Sequence, residues 1–159
     1  MTQRLQWFQA APALGNALMD LQDLINESGI EPALLELVKM RASQLNGCAF
    51  CLDMHSKDAR AAGESEQRLY LLSAWREAAH LYNARERSAL AWTEAVTAIG
   101  DGHVPDDRYE EARAHFSETE LVHLTFAITQ INTWNRLNVA FRTDAGGYRP
   151  GMFRRTKAA

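Results

Sequence analysis

Cysteine is scarce in this 159-residue chain, and proline, glycine and excess charge are scarce with it. Two cysteines cannot supply the disulfide framework of a small secreted domain, so a local pair reads as catalytic or metal-binding. With only four prolines and nine glycines, and β-branched residues rarely clustered, alternating strand patterns are hard to find. The chain therefore reads as all-α. No apolar run approaches the roughly 20 residues needed to cross a bilayer. The N-terminal MTQRLQWFQAAPALG lacks the basic start and apolar stretch of a secretory signal. A cytoplasmic protein with no membrane partner is expected. The net charge of -3, with no basic stripe carrying interleaved aromatics, argues against a nucleic-acid partner. No Gly-rich phosphate loop and no nucleophile elbow occurs, which removes phosphoryl transfer and serine hydrolysis and leaves no cofactor to expect.

What is present is a chain with 47% hydrophobic and 23% charged residues, enough for one real core. Leu14, Leu18, Leu21, Leu24 and Ile25 recur at helical spacing over 13–27, and Ser28-Gly29 follows as a stop. Pro32 suits a first helical turn, and Leu35, Val38, Ala42 and Leu45 form one face before Asn46-Gly47 ends the helix. The next helix is expected over 48–62, stopped by Gly63. Leu69, Leu72 and Trp75 predict helix over 65–81, with a bend near Trp75. A long helix over 83–99 carries Leu90, Ala91, Ala95, Val96 and Ile99, and a short one spans 106–115. Ser117-x-x-Glu120 has the capping-box form, and Leu121, Leu124, Ile128, Ile131 and Leu137 follow on one stripe. Residues 1–143 read as the domain and 144–159 as a flexible C-terminal tail.

Both cysteines fall in one Cys48-x-x-Cys51, and His55 stands four residues further on. On a helix, positions i and i+3 have Cα atoms about 5 Å apart, within the disulfide window. The two sulfurs and the imidazole share one stripe. A helix start favours a thiolate on Cys48, whereas proximity to the histidine favours Cys51. Glu36, on the preceding helix, would be folded back toward this stripe by the turn at Asn46-Gly47. A carboxylate bonded to one ring nitrogen fixes the histidine tautomer and raises its basicity. Glu36 could also pair simply with Lys39 on a solvated face. The same four residues spell a zinc set of two thiolates, an imidazole and a carboxylate, but three of them on one regular helix depart from the usual structural knuckle. No metal is expected. His80, His103, His115 and His123 share no ligand-like spacing, and Trp7, Trp75, Trp92 and Trp134 read as core or interface residues.

The pattern Glu36-x11-Cys48-x2-Cys51-x3-His55, set in LVKMRASQLNGCAFCLDMHSKDARAAGES, resembles the alkylhydroperoxidase D-like (AhpD-like) branch of the carboxymuconolactone decarboxylase family. The later INTWNRLNVAFR resembles the last helix of that branch, and the similarity runs from about residue 5 to 143. The resemblance implies an all-helical, homo-oligomeric fold (trimer or hexamer) and a thiol-dependent alkyl hydroperoxide reductase. It implies Cys51 as the peroxidatic thiol, Cys48 as the resolving thiol, and His55 with Glu36 as a proton relay. Its implied partners are a hydroperoxide and a dithiol reductant of lipoyl or thioredoxin-like type. Ala49-Phe50 fills the spacer where the best-known members carry another histidine. Two alternatives remain: a decarboxylase-like enzyme on the same fold, and a non-enzymatic helical oligomer that senses redox state or holds zinc.

Overall fold

The computed structural model describes residues 2–100 and 102–153, and among them it contains helices and no strand. Eight α-helices follow in order: α1 (Trp7–Ala10), α2 (Pro12–Asn26), α3 (Pro32–Asn46), α4 (Ala49–Ala61), α5 (Glu66–Leu71), α6 (Ala84–Thr97), α7 (Asp106–Arg113) and α8 (Glu118–Phe141). The all-α architecture expected from the sequence is the one observed, with the CxxC at a helix start.

Local chemistry explains most boundaries. Pro12 and Pro32 each occupy a first helical position, where the missing N–H costs nothing. Gly47 takes the left-handed conformation at φ +64° that turns α3 back into α4, a conformation that a Cβ would strain. Asn83 with Glu86 and Ser117 with Glu120 form reciprocal capping boxes for α6 and α8. At Gly15 a Cβ would meet the ring of Phe8 at 2.7 Å, so a larger residue there requires that half-exposed ring to shift.

Helices α3 and α8 are central. Leu34, Leu35 and Val38 of α3 pack with Leu124, Ala127 and Ile128 of α8 and with Ala89 and Trp92 of α6. The other side of α3, at Leu37 and Met40, packs against Ala59, Leu72, Tyr82 and Leu90. A third, smaller cluster joins Ala42, Cys48, Cys51 and Ile131 under Phe50 and Trp134. The dithiol is thus built into the core where α3, α4 and α8 meet.

Several expectations change. The single helix over 65–81 ends at Leu71 and continues as two 3-10 turns, Leu72–Ala74 and Ala79–Leu81. Trp75 and Tyr82 turn into the core, and side-chain cations bond carbonyls at the end of this stretch: Arg68 donates to Leu81 O, and Arg87 donates to Ala79 O and Tyr82 O. Leu14, Leu24 and Leu45 lie on exposed helix faces, so the buried stripes of α2 and α3 are narrower than the apolar pattern. Ile99 lies beyond the end of α6 and is exposed.

From 144 to 153 the chain lies along α4. Gly146 N–H donates to Asp53 Oδ2 at 2.9 Å, and Lys57 Nζ donates to the carbonyls of Gly146 and Tyr148. Tyr148 is buried, and Phe153 stacks on both Tyr148 and Phe50 at 5.5 and 6.4 Å. The remainder of the expected tail, 154–159, lies outside the described residues.

Candidate active site

Cys48 is the N-cap of α4 and Cys51 sits one turn into it, so the free N–H groups of the helix start face the first sulfur. The Cys51 N–H donates to Cys48 Sγ at 3.3 Å. Both cysteines are unpaired and only 1% exposed. The Cys51 thiol donating to Cys48 lowers the Cys48 pKa most. Burial opposes it, and the Cys51 backbone N–H and the Asn135 amide reinforce it, bringing the thiol from 9.0 to about 7. Cys51 is pushed the other way, first by its hydrogen bond to Cys48, then by burial and by the charge on Cys48. The two directions, down for Cys48 and up for Cys51, favour Cys48 as the more readily ionised thiol of the pair. The resemblance implies the other order, with Cys51 as the peroxidatic thiol; the helix N-terminus and the Cys51 N–H serve the first sulfur, while the Asn138 amide serves the second.

Glu36 reaches the site from α3. Its Oε2 is 2.8 Å from His55 Nδ1 and its Oε1 is 3.0 Å from Lys39 Nζ. Burial raises its pKa, but the charges and hydrogen bonds of His55 and Lys39 outweigh burial and bring it from 4.5 to about 2. An ionised carboxylate only accepts, so His55 Nδ1 carries the proton and Nε2 is the ring atom left to act as a base. Both readings of Glu36 meet here: it pairs with Lys39, yet on a buried face rather than a solvated one, because Lys39 is itself buried.

The polar side chains that act most strongly on the sulfurs are asparagines of α8, not His55. Asn138 Nδ2 donates to Cys51 Sγ at 3.6 Å, and Trp7 Nε1 donates to Asn138 Oδ1 at 3.3 Å. Asn135 is fully buried; it accepts from Asn46 Nδ2 and donates to Ser43 Oγ, both at 2.9 Å. Asn132 accepts from the same Asn46 amide. None of these asparagines was singled out from the sequence. The available signal was Asn132, Asn135 and Asn138 at three-residue steps on the stripe otherwise made by Leu124, Ile128 and Ile131.

The proposed zinc set does not assemble. Among the described residues, the grouping compact enough to hold a metal is Glu36, His55 and Asp58, with ligand atoms within 4.8 Å of one another and no cysteine among them. The Lys39 ammonium already occupies one oxygen of Glu36, and the Tyr148 hydroxyl donates to Asp58 at 2.8 Å. Such a neighbourhood is suited to moving a proton rather than to holding a divalent ion.

Residues 12–95 match the carboxymuconolactone decarboxylase family. The chain belongs to that family, in its AhpD-like branch. It is 44% identical over 145 residues to the uncharacterised protein YdfG of Bacillus subtilis, covering 91% of this chain and 98% of that one. Among solved structures it superposes on a protein of unknown function from Agrobacterium tumefaciens, suggested to be an antioxidant defence protein AhpD. The TM-score is 0.88 with 45% identity, covering 92% of this chain and all of that one. The debrominase Bmp8 shares the fold at a TM-score of 0.78 and 22% identity, over 88% of this chain and 75% of its own. No helix among the described residues is long and apolar enough to cross a membrane.

Proposed function

We propose that the protein is a thiol-dependent hydroperoxide reductase that cycles Cys48 and Cys51 between dithiol and disulfide. The observation that carries the reading is the pairing of the two cysteines at the start of α4, where the Cys51 N–H and thiol both serve the Cys48 sulfur. The Cys48 thiolate attacks the distal oxygen of a hydroperoxide; the O–O bond breaks, an alcohol leaves with a proton, and Cys48 becomes a sulfenic acid. The Cys51 sulfur then attacks Cys48, forming the S–S bond and releasing water. His55, held by Glu36, passes the protons. Phe50 and Trp134 pack over the dithiol, an apolar cover that favours an organic hydroperoxide over hydrogen peroxide. An external dithiol of lipoyl or thioredoxin-like type reduces the disulfide, and a trimer or hexamer is the assembly that goes with this reading.

Consumption of cumene hydroperoxide with a dithiol reductant tests it. Turnover in the native protein and a loss of at least about a hundredfold in Cys48→Ser and Cys51→Ser is the expected result. Equal rates in all three would overturn the proposal.

A further inference from the structure

Asn138 of α8 stands between Trp7 of α1 and Cys51 of α4. Its side-chain N–H faces Cys51 Sγ, while its carbonyl oxygen accepts the indole N–H of Trp7. An amide can present either end to a neighbour, and the indole, a donor only, fixes which end faces the sulfur. Trp7 is itself held in place. Its ring packs on Trp134 at 5.5 Å, and Arg4 binds the end of α8 through its N–H to Phe141 O at 2.9 Å and its guanidinium to Ala140 O. Asn138 is buried, so its donor is not diluted by water.

We propose that Asn138, aimed by Trp7, is a catalytic residue of the reductive half-cycle: its amide N–H stabilises negative charge on the Cys51 sulfur as that sulfur leaves the disulfide. The inference rests on the dithiol cycle proposed above. A thiolate of the external dithiol attacks Cys48 Sγ. The S–S bond breaks, and Cys51 leaves with the electron pair, later taking a proton. The second thiol of the reductant then displaces Cys48 as thiolate, and the reductant departs oxidised as its own disulfide.

The two sulfurs thereby receive separate supports. Cys48 has the helix start, whereas Cys51, already inside the helix, has the Asn138 side chain. The hydrogen bond to Cys48 and the charge on Cys48, two of the three main influences that hold Cys51 protonated in the dithiol, vanish once Cys48 is bound in a mixed disulfide. Burial then stands against the amides of Asn135 and Asn138.

The test uses a Cys48→Ser background, in which Cys51 is the lone thiol, and follows iodoacetamide labelling of Cys51 by intact mass across pH 6 to 10. Asn138→Asp keeps the acceptor for Trp7 and the shape but replaces the donor with a carboxylate charge, so Asn138→Leu, which removes the donor without adding charge, is measured beside it and must move the profile the same way. Asn138→Asp is expected to move the labelling profile up by about one pH unit, a roughly tenfold loss of rate below the midpoint. Trp7→Phe keeps the ring but frees the amide, and is expected to move it by a smaller amount in the same direction. With both native cysteines present, reduction of the disulfide by dithiothreitol should slow about tenfold in Asn138→Asp. Coincident profiles in folded Asn138→Asp would overturn the proposal. Should that variant fail to fold, an unchanged profile in Trp7→Phe overturns it. A native protein that turns over no peroxide would sink the reductase reading, while the single-thiol profile would still decide the role of Asn138.

Discussion

The backbone N–H of Cys51 points at the sulfur of Cys48 across 3.3 Å, so one residue of the dithiol helps to ionise the other. The relationship is asymmetric: Cys48 has no position before it on the helix from which to return the favour. The prediction concerns which variant stops where. Cys51→Ser should still react once with peroxide and accumulate a sulfenic acid on Cys48, trapped by dimedone and read by mass. Cys48→Ser should leave Cys51 at least about tenfold less reactive. A sulfenic acid formed faster on Cys51 would return the order to that implied by the family resemblance.

The pH dependence follows from the same geometry. Cys48 is lowered to about 7 chiefly by the Cys51 thiol, so its labelling rate should rise with pH through about 7 and level off above about 8. Cys51 should label only at higher pH, because it is pushed up by its bond to Cys48, by burial and by the Cys48 charge. Stopped-flow alkylation of the native protein, with the modified residue located by mass, reads both limbs.

Much of this was legible in the chain. Pro12, Pro32, Gly47 and the Ser117–Glu120 box set helix ends through local rules that need no tertiary knowledge. Spacing alone placed Cys48, Cys51 and His55 on one helix, and the short turn at Gly47 brings Glu36 within 2.8 Å of His55. What escaped was set over longer distances. Asn138 lies 87 positions from Cys51 and Trp7 lies 131 from Asn138, and nothing local announces either contact. Leu14 and Leu24 follow the helical period as faithfully as Leu35 does, yet only packing decides which of them is covered. The break after Leu71 likewise goes with the burial of Trp75 and Tyr82, and Arg68 and Arg87 bond the carbonyls of Ala79, Leu81 and Tyr82 at the far end of the stretch, contacts that no local pattern announces.

Glu36 makes stability depend on acid. Its folded pKa, about 2, lies below the ordinary 4.5, so the stabilisation is complete above the unfolded value and is lost as pH falls from about 4.5 toward 2. Glu36→Gln should remove that limb of the pH-stability curve. It should also cost on the order of 3 kcal/mol at pH 7, because Lys39 is left buried without its partner. Urea unfolding at pH 3, 5 and 7 compares the two proteins, and a Glu36→Gln curve parallel to the native one would contradict the assignment.

Tyr148 fastens the C-terminal stretch to α4 through Asp58, with oxygen–oxygen distances of 2.8 and 2.9 Å. Tyr148→Phe removes that bond to a carboxylate and should cost about 2 kcal/mol. Hydrogen exchange should rise over 144–153 while the amides of α3 and α8 stay protected. Unchanged exchange in this stretch would mean that Lys57 and Phe153 suffice to hold it.

The central claim is a dithiol that peroxide closes. Thiol counting and intact mass on reduced protein, before and after one equivalent of cumene hydroperoxide, test it most directly. The account predicts the loss of both thiols and of two hydrogens per chain, reversed by dithiothreitol. Two thiols still free, or a gain of oxygen with no disulfide, would contradict it.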